Sequence, residues 1–234
     1  DRCNPTLPGS AVAQTVSDAA GNFKLDNVPV GDNIPLVITT GKWRRQITIP
    51  TVAQCTDTAI GAADTRLPKN KSEGDIPKIA ITTGGADTME CLVRKLGVDD
   101  AEIGLTGDDR RIHLYHGNGT PSFAGGFGGG SGDLPEATTV WNTPATLKAY
   151  DITILSCEGT QNPNTKQQPA LDAMQEYANV GGRVFASHWH NIWVSGNFEN
   201  NNPNLAPAEW KDLVDWNSTN NFNGNVTIDE VNNP

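Results

Sequence analysis

Residues 150–191 read YDITILSCEGTQNPNTKQQPALDAMQEYANVGGRVFASHWHN, and this stretch decides the fold. YDITILSCEG is a strand that stops at Cys157 and Glu158. In QPALDAMQEYANVGG, a helix buries Ala170, Leu171, Met174, Tyr177 and Ala178, and Gly181 ends it. RVFASHWHN is a second strand, ending at His188 and His190. A strand, a helix and a strand in succession imply a right-handed crossover between parallel strands. Open parallel sheets bind ligands just beyond the carboxyl ends of their strands. Two of the chain's 4 histidines are therefore expected where such a fold keeps its chemistry.

The same alternation extends upstream. PKIAITTGG is a buried-type strand with a Gly-Gly turn. Asp87 is expected to cap a helix, with Glu90 completing a capping box and Met89, Leu92, Val93 and Leu96 as its core stripe, ended by Gly97. RRIHLYHG is the next strand, followed by the Gly-rich loop GNGTPSFAGGFGGGSGDLP, a flexible cover or a packed interface segment. Downstream, APAEWKDLVDW reads as a short helix and FNGNVTIDEV as a last strand. Strands alternating with helices predict an α/β domain over 78–234, a flavodoxin-like or Rossmann-like three-layer sandwich on a parallel sheet, cut short at its C-terminus.

Residues 1–67 read as β. A turn at 18–21 precedes alternation through Phe23, Leu25 and Val28, then the apolar run IPLVITTG and the alternating KWRRQITIP. Short strands at close spacing predict a small, incomplete all-β sandwich domain. Residues 68–77, PKNKSEGDIP, form a polar linker with Pro at both ends.

Asp18, Gly21 and Phe23, followed by Asn27, Val28, Pro29 and Gly31, resemble the carboxypeptidase-regulatory-like, transthyretin-like sandwich modules of exported proteins over roughly residues 10–55. That resemblance implies spacing or adhesion rather than catalysis. Gly84 and Gly85, the strand YDITILS, and Gly181 and Gly182 leading into RVFASH resemble the class I glutamine-amidotransferase-like superfamily, nearest its ThuA-like branch, over roughly 77–195. This second resemblance implies a three-layer α/β sandwich and leaves the activity open. His188 stands where the ThuA-like pattern also has His and amidotransferases carry their nucleophilic Cys, so no conventional glutaminase triad is expected. Cys157, Gly159 and Gln161 look like the amidotransferase C-x-G-x-Q elbow, but the strand comes one step too early and NPNTKQQP is too irregular to begin a helix at once.

Composition narrows the partners. Residues 1–70 carry 7 basic and 6 acidic side chains, whereas the remaining 164 carry 10 and 21. An acidic body argues against sequence-independent nucleic-acid binding, and no apolar run approaches a membrane span. The DRCNP opening reads as a processed piece of a longer product, and Asn-, Thr- and Gly-rich loops with few Lys suit an extracellular, periplasmic or cell-surface location, as in an exported bacterial protein. Of the 4 cysteines, Cys3 and Cys55 bracket the first domain and could form a disulfide; Cys91 lies opposite its helix's core stripe and either pairs, with Cys157 as one partner, or is covered.

Several constellations follow. His188 could act as general base, oriented by Asp87 or Glu158, with Ser187 as nucleophile if its hydroxyl is exposed. His116, His188 and His190 with Cys157 or Glu158 would suit Zn²⁺. Gly84, Gly85, Ser187, Trp189 and Trp193 are candidate ligand contacts, the tryptophans as a sugar-stacking surface. The expectation is an exported two-domain protein whose α/β domain binds a small polar or sugar-like ligand, with or without catalysis. The alternatives are a metal-assisted or His-based hydrolase, and a structural subunit of a self-associating surface or filamentous assembly.

Overall fold

The structure, a computed structural model, describes residues 10–196 and 206–211. Its strands are β1 (Gly31–Thr40), β2 (Trp43–Val52), β3 (Ile79–Thr82), β4 (Ile103–Gly104), β5 (Ile112–Tyr115), β6 (Ile152–Leu155) and β7 (Arg183–Ala186). The helices are α1 (Ala62–Thr65), α2 (Glu90–Lys95), α3 (Thr138–Trp141), α4 (Pro144–Lys148), α5 (Gln168–Asn179), α6 (Ile192–Ser195) and α7 (Ala208–Lys211). β3 to β7 form one five-stranded parallel sheet in the order β4-β5-β3-β6-β7. This is the expected α/β architecture, and the three strands that flank or form residues 150–191 and PKIAITTGG lie side by side at its centre and one edge.

Helices cover both faces. Register places Ala80 beside His113 and Thr153, and Thr82 beside Tyr115 and Leu155. Ala80, Tyr115 and Leu155 pack with Trp141, Leu147, Tyr150, Leu171, Met174 and Tyr177, brought mainly by α3, α4 and α5. The opposite face packs Ile79, Ile81, Ile112, Leu114 and Ile154 with Val93 of α2, and Trp43 of β2 joins it. Side chains two apart on a strand share a face, so each strand feeds two cores, and the near-continuous apolar runs that marked β3 and β6 follow from that.

The Gly-rich loop is packed against the second core rather than loose. Phe123 and Phe127 stack with centroids 5.4 Å apart and lie against that core. Gly130 N–H donates to the Ile103 carbonyl at 2.8 Å, and a Cβ there would run into Phe123. The glycines let backbone approach backbone.

Two local expectations are corrected. Asp87 does not cap α2; Met89 occupies that position without a side-chain cap, and Leu96 is exposed rather than part of the stripe. The Asp87 carboxylate is used elsewhere, as described below. Cys91 and Cys157 are not bridged: Cys91 is exposed and free, Cys157 buried and free. Cys3, like FNGNVTIDEV and residues 212–216 of the expected helix APAEWKDLVDW, lies outside the described residues.

At the N-terminal end of the described chain, one two-stranded antiparallel hairpin forms, β1 with β2, joined through Gly41 at φ 58° and Lys42. The turn at 18–21 is present, with Gly21 N–H donating to Asp18 O at 2.9 Å, and the Asp18 carboxylate takes the amides of Ala20 and Asn22. The alternating Phe23, Leu25 and Val28 do not form a strand, and Val12, Val16 and Phe23 are exposed. Alternation yields a strand only where a partner edge is present to accept its backbone hydrogen bonds.

Residues 68–77 are bound to the body. Arg66 grips Glu73 through two hydrogen bonds of 2.6 Å, and Asn70 donates to Asp99 at 2.6 Å. The Arg66 guanidinium and the Lys69 amide hold the Glu73 carboxyl down at about 2. Lys42 pairs with Asp151 at the foot of β6, and Trp43 Nε1 donates to Pro68 O at 2.8 Å. A cleft of about 170 Å³ lies between this hairpin end and the foot of β6 and β7, while an open groove of about 660 Å³ runs along α2 past Cys91 and Arg94. Both lie away from the carboxyl ends of β3 and β6.

Candidate active site at the carboxyl ends of β3, β6 and β7

The chain leaves β3 toward α2 on one face and leaves β6 toward α5 on the other. Open α/β sheets carry ligands at such a point. Gly84 brings the two loops together: a Cβ there would overlap the carbonyl oxygen of Cys157, so the loop after β3 can lie directly on the loop after β6. Ala86 N–H donates to Cys157 O at 2.9 Å, and Asp87 Oδ1 accepts the Cys157 N–H at 2.8 Å. The main chain of Cys157 is thus clamped on both sides. Asp87 Oδ2 takes the Ser187 hydroxyl, which ties the end of β7 to the same loop.

At this junction Cys157 Sγ lies 3.3 Å from His188 Nδ1. Cys157 is 2% exposed, whereas His188 is exposed. His188 has φ 41°, a left-handed conformation for a residue with a Cβ. It opens a 3-10 turn, His188–Asn191, straight after β7. The half-exposed Trp189 sets its ring 5.1 Å from that of His188.

Beneath this rim lies a buried polar layer. Glu158 Oε2 accepts from Lys166 Nζ at 2.8 Å and from Asn162 Nδ2 at 2.6 Å, and both charged side chains are almost wholly buried. Lys166 also sits 5.2 Å over the ring of Trp141. His190 is 1% exposed; its Nε2 faces Ser156 O at 2.8 Å, and its Nδ1 accepts from Trp193 Nε1 at 3.1 Å. This assigns the proton to Nε2. Burial first, then the nearby Lys166 charge, push the His190 value down to about 3, so the ring is neutral.

The placement of the expected residues is therefore mixed. Gly84, Asp87, Cys157, Ser187 and His188 converge. Gly85 is at the rim, with Asn118 close by, and Asn118 Nδ2 donates to Glu158 O at 2.8 Å. Glu158 and His190 lie in the layer below, both committed to buried partners. As placed, His190 has both ring nitrogens occupied and no lone pair left for a metal. His116 turns to Glu136, with Nδ1 3.2 Å from Oε1. Among the described residues, no three His, Cys, Asp or Glu side chains converge as a metal-holding group. Trp193 is in the core, stacked on His190 and edge-on to Trp141, and is not part of a sugar-stacking surface. The fourth histidine, His113, is buried on the sheet face, with Nδ1 2.8 Å from the Tyr150 hydroxyl.

Sequence reasoning missed Lys166, Asn162 and Asn118. All three come from irregular, polar loops without periodicity. The usable signal was NPNTKQQP itself: a lone Lys inside a loop between an apolar strand and an apolar helix has a buried carboxylate as its natural partner.

No protein-family model, curated protein or solved structure matches the chain.

Proposed function

We propose that the α/β domain binds a small polar, sugar-like ligand in the crevice where the loops after β3, β6 and β7 meet. The observation that carries this reading is the exposed His188, held in a left-handed conformation against the clamped Cys157. Residues in such conformations cluster at ligand sites, where the surrounding structure over-determines them. Ser187, Gly85 and the half-exposed face of Trp189 supply polar and stacking contacts around it. A screen of polyols and simple sugars by Trp fluorescence should give a saturable response that disappears in His188→Ala and in Trp189→Ala. A response equal in all three proteins would remove the crevice as the site.

A His-based hydrolase is the second reading, and the Cys157–His188 contact favours it. Its metal-assisted form has less support, because the donors expected for zinc are divided between Glu136, Ser156 and Trp193. The all-parallel sheet and two-faced helical cover agree with a ThuA-like α/β domain. The turn at 18–21 and the hairpin agree with part of an exported carboxypeptidase-regulatory-like sandwich, whose remaining strands a partner chain would supply. An extracellular, periplasmic or surface location and a role within a larger assembly belong to that same proposal.

A further inference from the structure

We propose that Cys157 is an acyl-accepting nucleophile and that His188 carries its proton, so that the crevice cleaves small esters or thioesters. This rests on the crevice being a ligand site and adds a covalent step to it. A thiol becomes an effective nucleophile when a base stands within hydrogen-bond reach and a third group fixes the geometry. Here the base is His188, with Nδ1 3.3 Å from Sγ. The fixing group is Asp87, which holds the Cys157 amide through one carboxylate oxygen and the Ser187 hydroxyl, next to His188, through the other. One carboxylate therefore holds the Cys157 main chain directly and the segment that bears His188 through the neighbouring Ser187 hydroxyl, and acts as a positioning residue.

Two further observations separate this from a thiol that merely fills space. A buried cysteine in apolar packing needs no imidazole, yet this one faces a ring whose backbone bears a left-handed φ to reach it. The base also opens to solvent while the thiol does not, so a proton accepted at Nδ1 can be passed outward. Because Cys157 is only 2% exposed, the electrophile must present a slender end, such as an acetyl or similarly short acyl group.

The step balances as follows. The Sγ proton moves to His188 Nδ1 as sulfur bonds to the acyl carbon and the carbonyl π pair moves onto oxygen. When that pair returns, the bond to the leaving alkoxide or thiolate breaks, and the leaving group takes the proton from His188. Water, deprotonated by His188, then cleaves the thioester and restores the thiol.

The probe is p-nitrophenyl acetate, applied to the native chain at neutral pH, with acetylated peptides located by mass. The expected result is rapid acetylation of Cys157, absent in Cys157→Ser and slowed about a hundredfold in His188→Ala. Acetylation confined to the exposed Cys55 and Cys91, or equal rates at Cys157 with and without the imidazole, would overturn the proposal. Prior treatment of the unmodified chain with iodoacetamide gives a measurement that needs no variant: alkylation of Cys157 should abolish nitrophenolate release from this site, and a Cys157 that takes up neither reagent until the chain is denatured overturns the proposal. Sugar-induced fluorescence in Cys157→Ser keeps the two ideas apart. A retained response without acetyl transfer to the parent protein's Cys157 removes the nucleophile alone. Acetyl transfer without any sugar response removes the binding reading alone.

Discussion

The rim of the crevice and the layer beneath it are built from the same residue types and obey opposite rules. Below, Glu158, Lys166 and His190 are closed to water, and the described contacts account for the Glu158–Lys166 pair and both His190 nitrogens. Above, His188 is exposed and left-handed, with one nitrogen on a thiol. Buried polar groups persist only when satisfied, so the lower layer is a scaffold. The upper one places a left-handed residue with a titratable ring at the surface. Two histidines separated by one residue thus have different work, and the difference lies in their partners.

This contrast can be broken most severely from below. Lys166→Met leaves the Glu158 carboxylate buried beside Asn162 without its cation, and should cost about 3–5 kcal/mol in a denaturant titration. A loss under about 1 kcal/mol would mean that water reaches Glu158 and the layer is not closed. His190→Ala removes the partner of both Ser156 O and Trp193 Nε1 and opens a cavity, with an expected cost of about 3 kcal/mol.

Acid should act through the same layer. His190 titrates near 3 in the fold and near its ordinary 6.5 when unfolded, so the unfolded chain takes up the proton first. The stability it contributes is complete above about pH 6.5 and falls as pH drops toward 3. In thermal melts across that window, His190→Gln should show a shallower slope than the parent; parallel slopes would place the proton elsewhere.

Effects at the rim should be smaller in stability and larger in activity. Gly84→Ala forces the loop after β3 off the Cys157 carbonyl, for about 1–3 kcal/mol, and should lower any acyl transfer by more than its stability loss suggests. His188→Gly should be the mildest, within about 0.5 kcal/mol of the parent or more stable, because relief of the left-handed strain offsets glycine's entropy. A large destabilisation there would make His188 part of the scaffold and erase the contrast.

How much of this could be read from sequence depended on the range of the interactions. β3, β5, β6, β7 and α5 announce themselves through local period, and Gly181 through its helix-ending role. β4 has two residues, and α3 and α4 have four and five, too short to carry a period. Asp87 looked like a cap because Glu90 follows at the capping-box spacing; its true partners are 70 and 100 residues away. The convergence of Cys157 with His188 was legible as two strand ends, but their 3.3 Å contact depends on the left-handed turn, which nothing local in SHWHN announces. The hairpin was legible from IPLVITTG and KWRRQITIP, whereas further strands before it were an extrapolation from alternation without a partner.

The hairpin's attachment also has a mechanical side. Lys42 and Trp43 fasten it to Asp151 and Pro68, at the opposite end of the sheet from Cys157. A pull arriving through the N-terminal segment would pass along the covalent chain from β2 to the foot of β3, the central strand of the sheet. The loops after β3, β6 and β7 would then sit at the far end of the sheet from the point of attachment.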